Sequence, residues 1–384
     1  MKKYHEHIIL VSDQAIPNVI PIADPNIAPK KVTLCVTDAM TEKAALLKKF
    51  FETRKIQTEI YSLGDAYDYT NLQEKFFNLA VKRESGKDNI AVNVTGGTKV
   101  LTLAAMMSFG DFDCFYVVPE KNHIIMLNPG TVAEIYPIAE SLKIEDFLGI
   151  YGYNVVEIER NITITQAQSK FFEFLISNYK TYHGYIRIIN ALASQAAENG
   201  VLYAKPSPYP PDLQVVLDKL QACGAVVSHS AEKVLFNKPS GLEFCNGIWF
   251  EYYMYLQLAR LKNELPLQDL ARSVMFKRTS DPNVKNEMDI VFLYKNSLFY
   301  IECKTSKLGD PAKAKSIIDK LDSLINQSGT FTIGGLASFL DDLNSSEKKR
   351  ANDDHIKCFV GESLRNIQLH LTEWITTKNK KTKA

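Results

Sequence analysis

With 384 residues the chain can form two or three domains, and 46% hydrophobic with 10% aromatic residues is the composition of a folded protein, not of a disordered chain. A formal net charge of +1 excludes a uniformly basic nucleic-acid coat, so contact with a polyanion has to come from local patches. Cys35, Cys114, Cys223, Cys245, Cys303 and Cys358 form no Cys-x-x-Cys or Cys/His cluster, which argues against zinc and against a disulfide framework.

The N-terminal Lys2-Lys3-Tyr4-His5-Glu6-His7 leads into a strand-length stretch rather than a signal peptide. No apolar run approaches the ~20 residues of a membrane span, so a cytoplasmic protein with no membrane partner is expected. Over residues 1–150 strand and helix patterns alternate, with strands at 7–11, 31–36, 57–61, 89–94, 113–118 and 123–127 and helices near 41–54, 71–82 and 99–109. Such alternation predicts an α/β domain with a doubly wound sheet, whose ligands bind at the carboxyl ends of its strands.

Two of those strand ends carry suitable chemistry. After the first strand, Ser12, Asp13 and Gln14 open an extended, proline-bearing loop that can present hydrogen-bonding groups to a base or ribose, and that also fits a plain connection. In Asn93-Val-Thr95-Gly96-Gly97-Thr98-Lys99 an apolar strand breaks at two glycines and a helix starts at once. Backbone N–H groups at such a junction point toward an anion, Thr95 and Thr98 add hydroxyls and Lys99 a charge, so phosphate is the natural guest. The spacing is neither a P-loop nor a dinucleotide fingerprint, and a structural turn would read the same way.

Together these two elements resemble the CARF domain, the CRISPR-associated Rossmann-like sensor of cyclic oligoadenylates. The resemblance implies a homodimer that shares one ring-shaped ligand across its two-fold axis, with cyclic tetra-adenylate as the ring that suits such a dimer. Ser12, Asp13, Gln14, Thr95, Gly96, Gly97, Thr98 and Lys99 would then be the ligand contacts.

Residues 151–240 read as a helical linker, with helices at 163–179, 185–199 and 212–221, a stiff Pro-rich connection at 205–211 and a hairpin at 225–237. Helices with a hairpin resemble a winged helix, which would permit duplex binding. No helix here carries a basic face suited to a groove, which favours a spacer or dimer-forming module.

From residue 241 onward the pattern changes. Phe250, Tyr253, Met254, Leu258 and Leu261 recur at helical spacing, and Glu251 sits at the edge of that face, where a solvated carboxylate is the ordinary outcome. Residues 289–304 then form two apolar runs around a Lys295-Asn296-Ser297 turn, the pattern of a β-hairpin. Glu302 and Lys304 share one face of the second strand, and the hairpin brings Asp289 beside Glu302. A strand-borne Glu-x-Lys is often a surface ion pair, but carboxylates set among Tyr300, Ile301 and Cys303 need a partner or a metal. Two carboxylates and an ammonium suit metal-assisted phosphodiester hydrolysis, in which hard oxygen ligands hold Mg²⁺ or Mn²⁺.

The order of a helix with Glu, a strand with Asp and a strand with Glu-x-Lys resembles the PD-(D/E)XK nucleases over residues 241–384, with Met288 where that family has a loosely kept proline. The resemblance implies metal ligation by Asp289, Glu302 and the Cys303 carbonyl, Lys304 at the attacking water and Glu251 as an auxiliary acid. A helix at 311–327 with Lys313 and Lys315, and strands at 330–333 and 356–360, agree with a restriction-endonuclease-like sheet. The basic run 378–383 reads as a frayed, solvated end.

The whole chain thus resembles the CARF-domain PD-(D/E)XK nucleases of type III CRISPR defence. Single-stranded DNA and RNA are the expected substrates, with plasmid DNA as a further one. Two other classes stay open: a ligand-controlled transcription regulator without catalysis, and a restriction-type nuclease independent of any messenger.

Overall fold

The computed structural model describes residues 1–127, 132–341 and 343–381, with side chains as far as 377. The first domain is built from β1 (Glu6–Leu10), α1 (Ile16–Ala23), β2 (Lys31–Thr37), α2 (Thr41–Thr53), β3 (Gln57–Gly64), α3 (Tyr69–Arg83), β4 (Ile90–Asn93), α4 (Lys99–Ser108), β5 (Asp113–Val118), β6 (His123–Met126), β7 (Ile135–Pro137) and α5 (Ile144–Ile150). Its sheet runs β3-β2-β1-β4-β5-β6-β7, parallel from β3 to β5 and antiparallel beyond. The chain winds outward from β1 in one direction and from β4 in the other, so the switch point lies between β1 and β4. Helices α3 and α4 cover one face, and α1, α2 and α5 the other, where the core continues into the last domain.

The stretch after β1 corrects the expected extended loop: residues 16–23 are helical. Pro17 stands in the first turn, where its missing N–H costs nothing. Pro21 removes one intrahelical donor, and the carbonyl it would have served, that of Pro17, accepts the Asn93 side-chain amide at 3.1 Å instead. The buried Asn18 amide donates to the Leu10 carbonyl at 3.1 Å. The Asn93 amide therefore satisfies the carbonyl that Pro21 leaves open.

A strand, β8 (Tyr153–Glu159), leaves α5 after a short turn and joins the last sheet, not the helical segment expected to begin there. The middle segment follows as α6 (Gln166–Ser177), α7 (Tyr179–Glu198), β9 (Tyr203–Ala204), α8 (Pro211–Ala222), β10 (Val226–His229) and β11 (Val234–Phe236). The three strands pair as β10-β11-β9, a small sheet beside the three helices. Phe171, Phe172, Leu217 and Phe236 share one core with Trp249, Phe250 and Phe292, so this segment is packed onto the last domain.

That domain comprises α9 (Lys238–Glu243), a π turn (Phe244–Ile248), α10 (Trp249–Leu261), β12 (Asp269–Arg278), β13 (Lys285–Tyr294), β14 (Ser297–Lys304), α11 (Pro311–Gln327), β15 (Thr332–Ser338), α12 (Ser345–Asp353), β16 (Lys357–Val360) and α13 (Ile367–Lys381). Its sheet order is β16-β15-β14-β13-β12-β8, parallel among the three strands from β14 to β16 and antiparallel elsewhere. The side chains of the basic run 378–383 lie outside the described residues. Among the described residues no helix is long and apolar enough to cross a membrane.

Candidate functional site

The first candidate site lies at the switch point. Ser12, Asp13 and Gln14 follow β1, and Thr95 to Lys99 follow its neighbour β4, so topology brings the two expected ligand segments together. Gly96 makes the approach feasible: a Cβ there would sit 2.2 Å from the Leu10 carbonyl oxygen and 3.0 Å from Ser12 Oγ. Gly97 takes φ +87°, a conformation that favours glycine.

The hydroxyls divide into separate tasks. Thr95 Oγ1 donates to Asn93 Oδ1 at 2.6 Å and accepts from the Val117 N–H at 2.8 Å, so it is spent on bracing the turn. Thr98 caps α4, its Oγ1 accepting from the Leu101 N–H at 3.1 Å. Asp13, Gln14, Gly97 and Lys99 are exposed, and Ser12 half-buried. A helix start with a lysine in its first turn thus opens onto polar side chains from the adjacent strand.

The second candidate site lies on β13 and β14, whose two-residue turn has Lys295 and Asn296 both at positive φ. The register Ile290↔Ile301 puts Asp289 opposite Glu302 on one face of the sheet. Both carboxylates are buried, at 8% and 3% exposure, which removes the solvated surface-pair reading. Lys304 Nζ lies 2.6 Å from Glu302 Oε1 and 3.7 Å from Asp289 Oδ2, and Asp289 Oδ2 accepts the Cys303 backbone N–H at 2.7 Å. Burial, reinforced by the Glu302 charge, pushes the Asp289 carboxyl up. Burial alone would lower Lys304, but the two carboxylates outweigh it and hold the ammonium charged.

Glu251 reaches this site from the first turn of α10, and its carboxyl is pushed up by burial and by the nearby Asp289 charge. Its partner is Arg272 on β12, with Nη1 2.8 Å from Glu251 Oε2. The π turn before α10 fixes where that carboxylate begins. Gly247, at φ +126°, packs so closely on Thr305, next after Lys304, that a Cβ would fall 2.5 Å from Thr305 Oγ1. The Asn190 amide on α7 holds Thr305 Oγ1 at 2.9 Å.

Three further neighbours line this site, two of them without a signal in the linear pattern. Lys320 on α11 lies 3.5 Å from Glu302 Oε1, the Tyr300 hydroxyl donates to Glu302 Oε2, and Arg272 holds Glu251. Tyr300 alone could have been anticipated, since it precedes Glu302 by two on the same strand face.

Residues 7–147 match the model of the Card1 CARF domain, and residues 240–378 match that of the Card1-like endonuclease domain. The chain belongs to the CARF-domain nucleases of type III CRISPR defence. Protein VC1899 from Vibrio cholerae is 21% identical with a TM-score of 0.86, over 97% of this chain and 98% of that one. Can2 from Sulfobacillus thermosulfidooxidans, solved in complex with cyclic tetra-adenylate, is 24% identical with a TM-score of 0.76, over 96% and 99% of the two chains. A type III CRISPR defence DNA nuclease activated by cyclic oligoadenylate is 15% identical with a TM-score of 0.57, over 88% of this chain and 46% of that one. Among curated proteins nothing matches.

For a CARF nuclease the donor set at β13 and β14 is informative. Among the described residues no three or more His, Cys, Asp or Glu side chains gather into a ligand cage. A divalent ion here would rest on two carboxylates with a backbone carbonyl and water. That set suits a hard, oxygen-seeking cation such as Mg²⁺ and does not suit zinc.

Proposed function

We propose that this CARF nuclease is a metal-dependent endonuclease switched on by cyclic tetra-adenylate bound across a homodimer of first domains. Its expected substrates are single-stranded DNA and RNA, with nicking of duplex plasmid as a further activity. The observation that carries the reading is the buried Asp289–Glu302 pair, two carboxylates on adjacent strands with Lys304 in contact with both. Mg²⁺ or Mn²⁺ held by Asp289, Glu302 and the Cys303 carbonyl would supply Lewis-acid activation of water and phosphate. Lys304 holds its proton and is placed to orient the nucleophile, Lys320 adds positive charge beside Glu302, and Glu251 is the auxiliary acid.

The sensor half is supported by the Gly96-Gly97 turn at the switch point and by the likeness to Can2, whose complex holds cyclic tetra-adenylate. Pairing of first domains is supported by Phe77 and Val81 on α3 and Leu103 and Met107 on α4, all exposed on the layer that faces away from the nuclease core. An apolar face of this kind favours a partner.

One assay tests the reading. The protein is incubated with single-stranded DNA, RNA and supercoiled plasmid, with and without cyclic oligoadenylates, in Mg²⁺, Mn²⁺ or chelator. Cleavage that needs both messenger and metal, and is lost in Glu302→Gln, is the expected result. Cleavage that ignores the messenger sinks the sensor assignment, and no cleavage under any condition favours a regulator.

A further inference from the structure

The strand that leaves the first domain ends against the auxiliary acid's only ion-pair partner among the described residues. Glu159, the last residue of β8, lies in register with Arg272, whose guanidinium contacts Glu159 Oε2 through Nε at 3.0 Å and through Nη2. The same guanidinium reaches Glu251 Oε2 through Nη1 at 2.8 Å and lies 4.5 Å from the Tyr252 ring centre. Arg272 is 5% exposed, while the Glu159 side chain that meets it is 49% exposed.

The next residue reverses the charge pattern. Arg160 Nη2 lies 2.6 Å from Asp269 Oδ2 on β12 and 2.6 Å from Glu145 Oε2 on α5. Asp269 Oδ2 also accepts the Ile144 N–H at 3.1 Å, at the start of α5. Glu159-Arg160 is therefore a two-residue clamp that ties the last helix of the first domain to the strand carrying Arg272.

We propose that Arg272 is a positioning residue for Glu251, and that Glu159 fixes the rotation of its guanidinium, so that the strand leaving the sensor domain sets the carboxylate beside Asp289. The proposal rests on the reading of Asp289 and Glu302 as the nuclease centre. A planar fork with carboxylates on two edges has one orientation; with one carboxylate gone it can turn about the remaining contact. A displacement of ~1 Å at a catalytic group can cost ~10²-fold in rate. A small shift of α5 would travel to Arg160 through its ion pair with Glu145, and on to Glu159 through the backbone that joins the two neighbouring residues.

The test uses the full chain with Mn²⁺, cyclic tetra-adenylate and a labelled single-stranded substrate. Glu159→Gln, which touches no reacting group, should lower kcat by ~10- to 100-fold with KM within about twofold. Arg272→Lys should lower it similarly, because an ammonium cannot fork between two carboxylates. Adding Glu159→Gln to Arg272→Lys should bring no further loss. An equal loss in both backgrounds, a change confined to KM, or no change overturns the proposal. A crystal structure of Glu159→Gln decides the matter independently of activity: Arg272 rotated and Glu251 displaced supports it, and an unmoved 2.8 Å contact overturns it. Failure of the nuclease reading is distinguishable, since it would appear as undiminished cutting by Glu302→Gln.

Discussion

Asp289 Oδ2 accepts the backbone N–H of Cys303 at 2.7 Å, so the side chain that lies beside Glu302 also secures the end of the ladder between β13 and β14. Charge and hydrogen bonding at this position can be separated. Asp289→Asn keeps an oxygen acceptor for the Cys303 N–H but removes the charge, so it should cut at least ~10²-fold more slowly while its thermal midpoint stays close to wild type. Asp289→Ala should also leave a buried N–H unpaired, at ~1–3 kcal/mol, and melt several degrees lower. Cleavage rates and melting curves of the two variants check this; equal melting points would show that the bond adds nothing to the fold.

Lys99 stands exposed in the first turn of α4, where the helix start already favours an anion. On the proposed reading Lys99→Ala should remove one charge-assisted contact of ~1.5–3 kcal/mol, which corresponds to a ~10- to 100-fold weaker affinity for cyclic tetra-adenylate. Titration calorimetry reads this directly. Mn²⁺ binding to the same variant should be unchanged, and an unaltered messenger affinity would remove Lys99 from the site.

Much of this site is legible in the sequence and part is not, for physical reasons. Asp289, Glu302 and Lys304 stand out because period-two alternation puts polar groups on a strand face that should be apolar. The Gly96-Gly97 junction stands out because strand, break and helix are consecutive. Arg272 and Lys320 are supplied by elements whose place beside the hairpin is a matter of sheet order and helix packing, which no local pattern encodes. Residues 16–23 mislead because two prolines read as a loop, while the asparagine that makes the helix feasible, Asn93, lies on another strand. β8 is likewise invisible as a nuclease strand, since only its pairing with β12 places it there.

Gly96→Ala tests the closeness of the two strand ends. A methyl group there would lie 2.2 Å from the backbone oxygen of Leu10, an atom that cannot swing aside, so the turn must move away from Ser12. Overpacking of this kind costs ~1–3 kcal/mol. The expected outcome is a lower thermal midpoint together with a greater loss of messenger affinity than Lys99→Ala shows. Wild-type stability with wild-type affinity would mean that the turn does not sit against β1.

His7 gives the first domain a pH dependence of defined sign. Its ring is wholly buried with its centre 5.3 Å from that of Phe115, and neither ring nitrogen has a hydrogen-bond partner among the described residues. Burial lowers its pKa from 6.5 to about 3. Between those two values the unfolded chain binds a proton that the folded chain refuses, so stability rises with pH across that window. The contribution is complete above the unfolded value and is lost as pH falls below it, at up to ~1.4 kcal/mol per pH unit. From pH 7 to pH 5 the wild-type chain should therefore lose about 2 kcal/mol through this group. Urea unfolding of wild type and His7→Phe at both pH values checks it. The variant keeps an aromatic ring and lacks the proton site, so its midpoint should fall less; an equal fall would show that His7 accepts its proton without opening the fold.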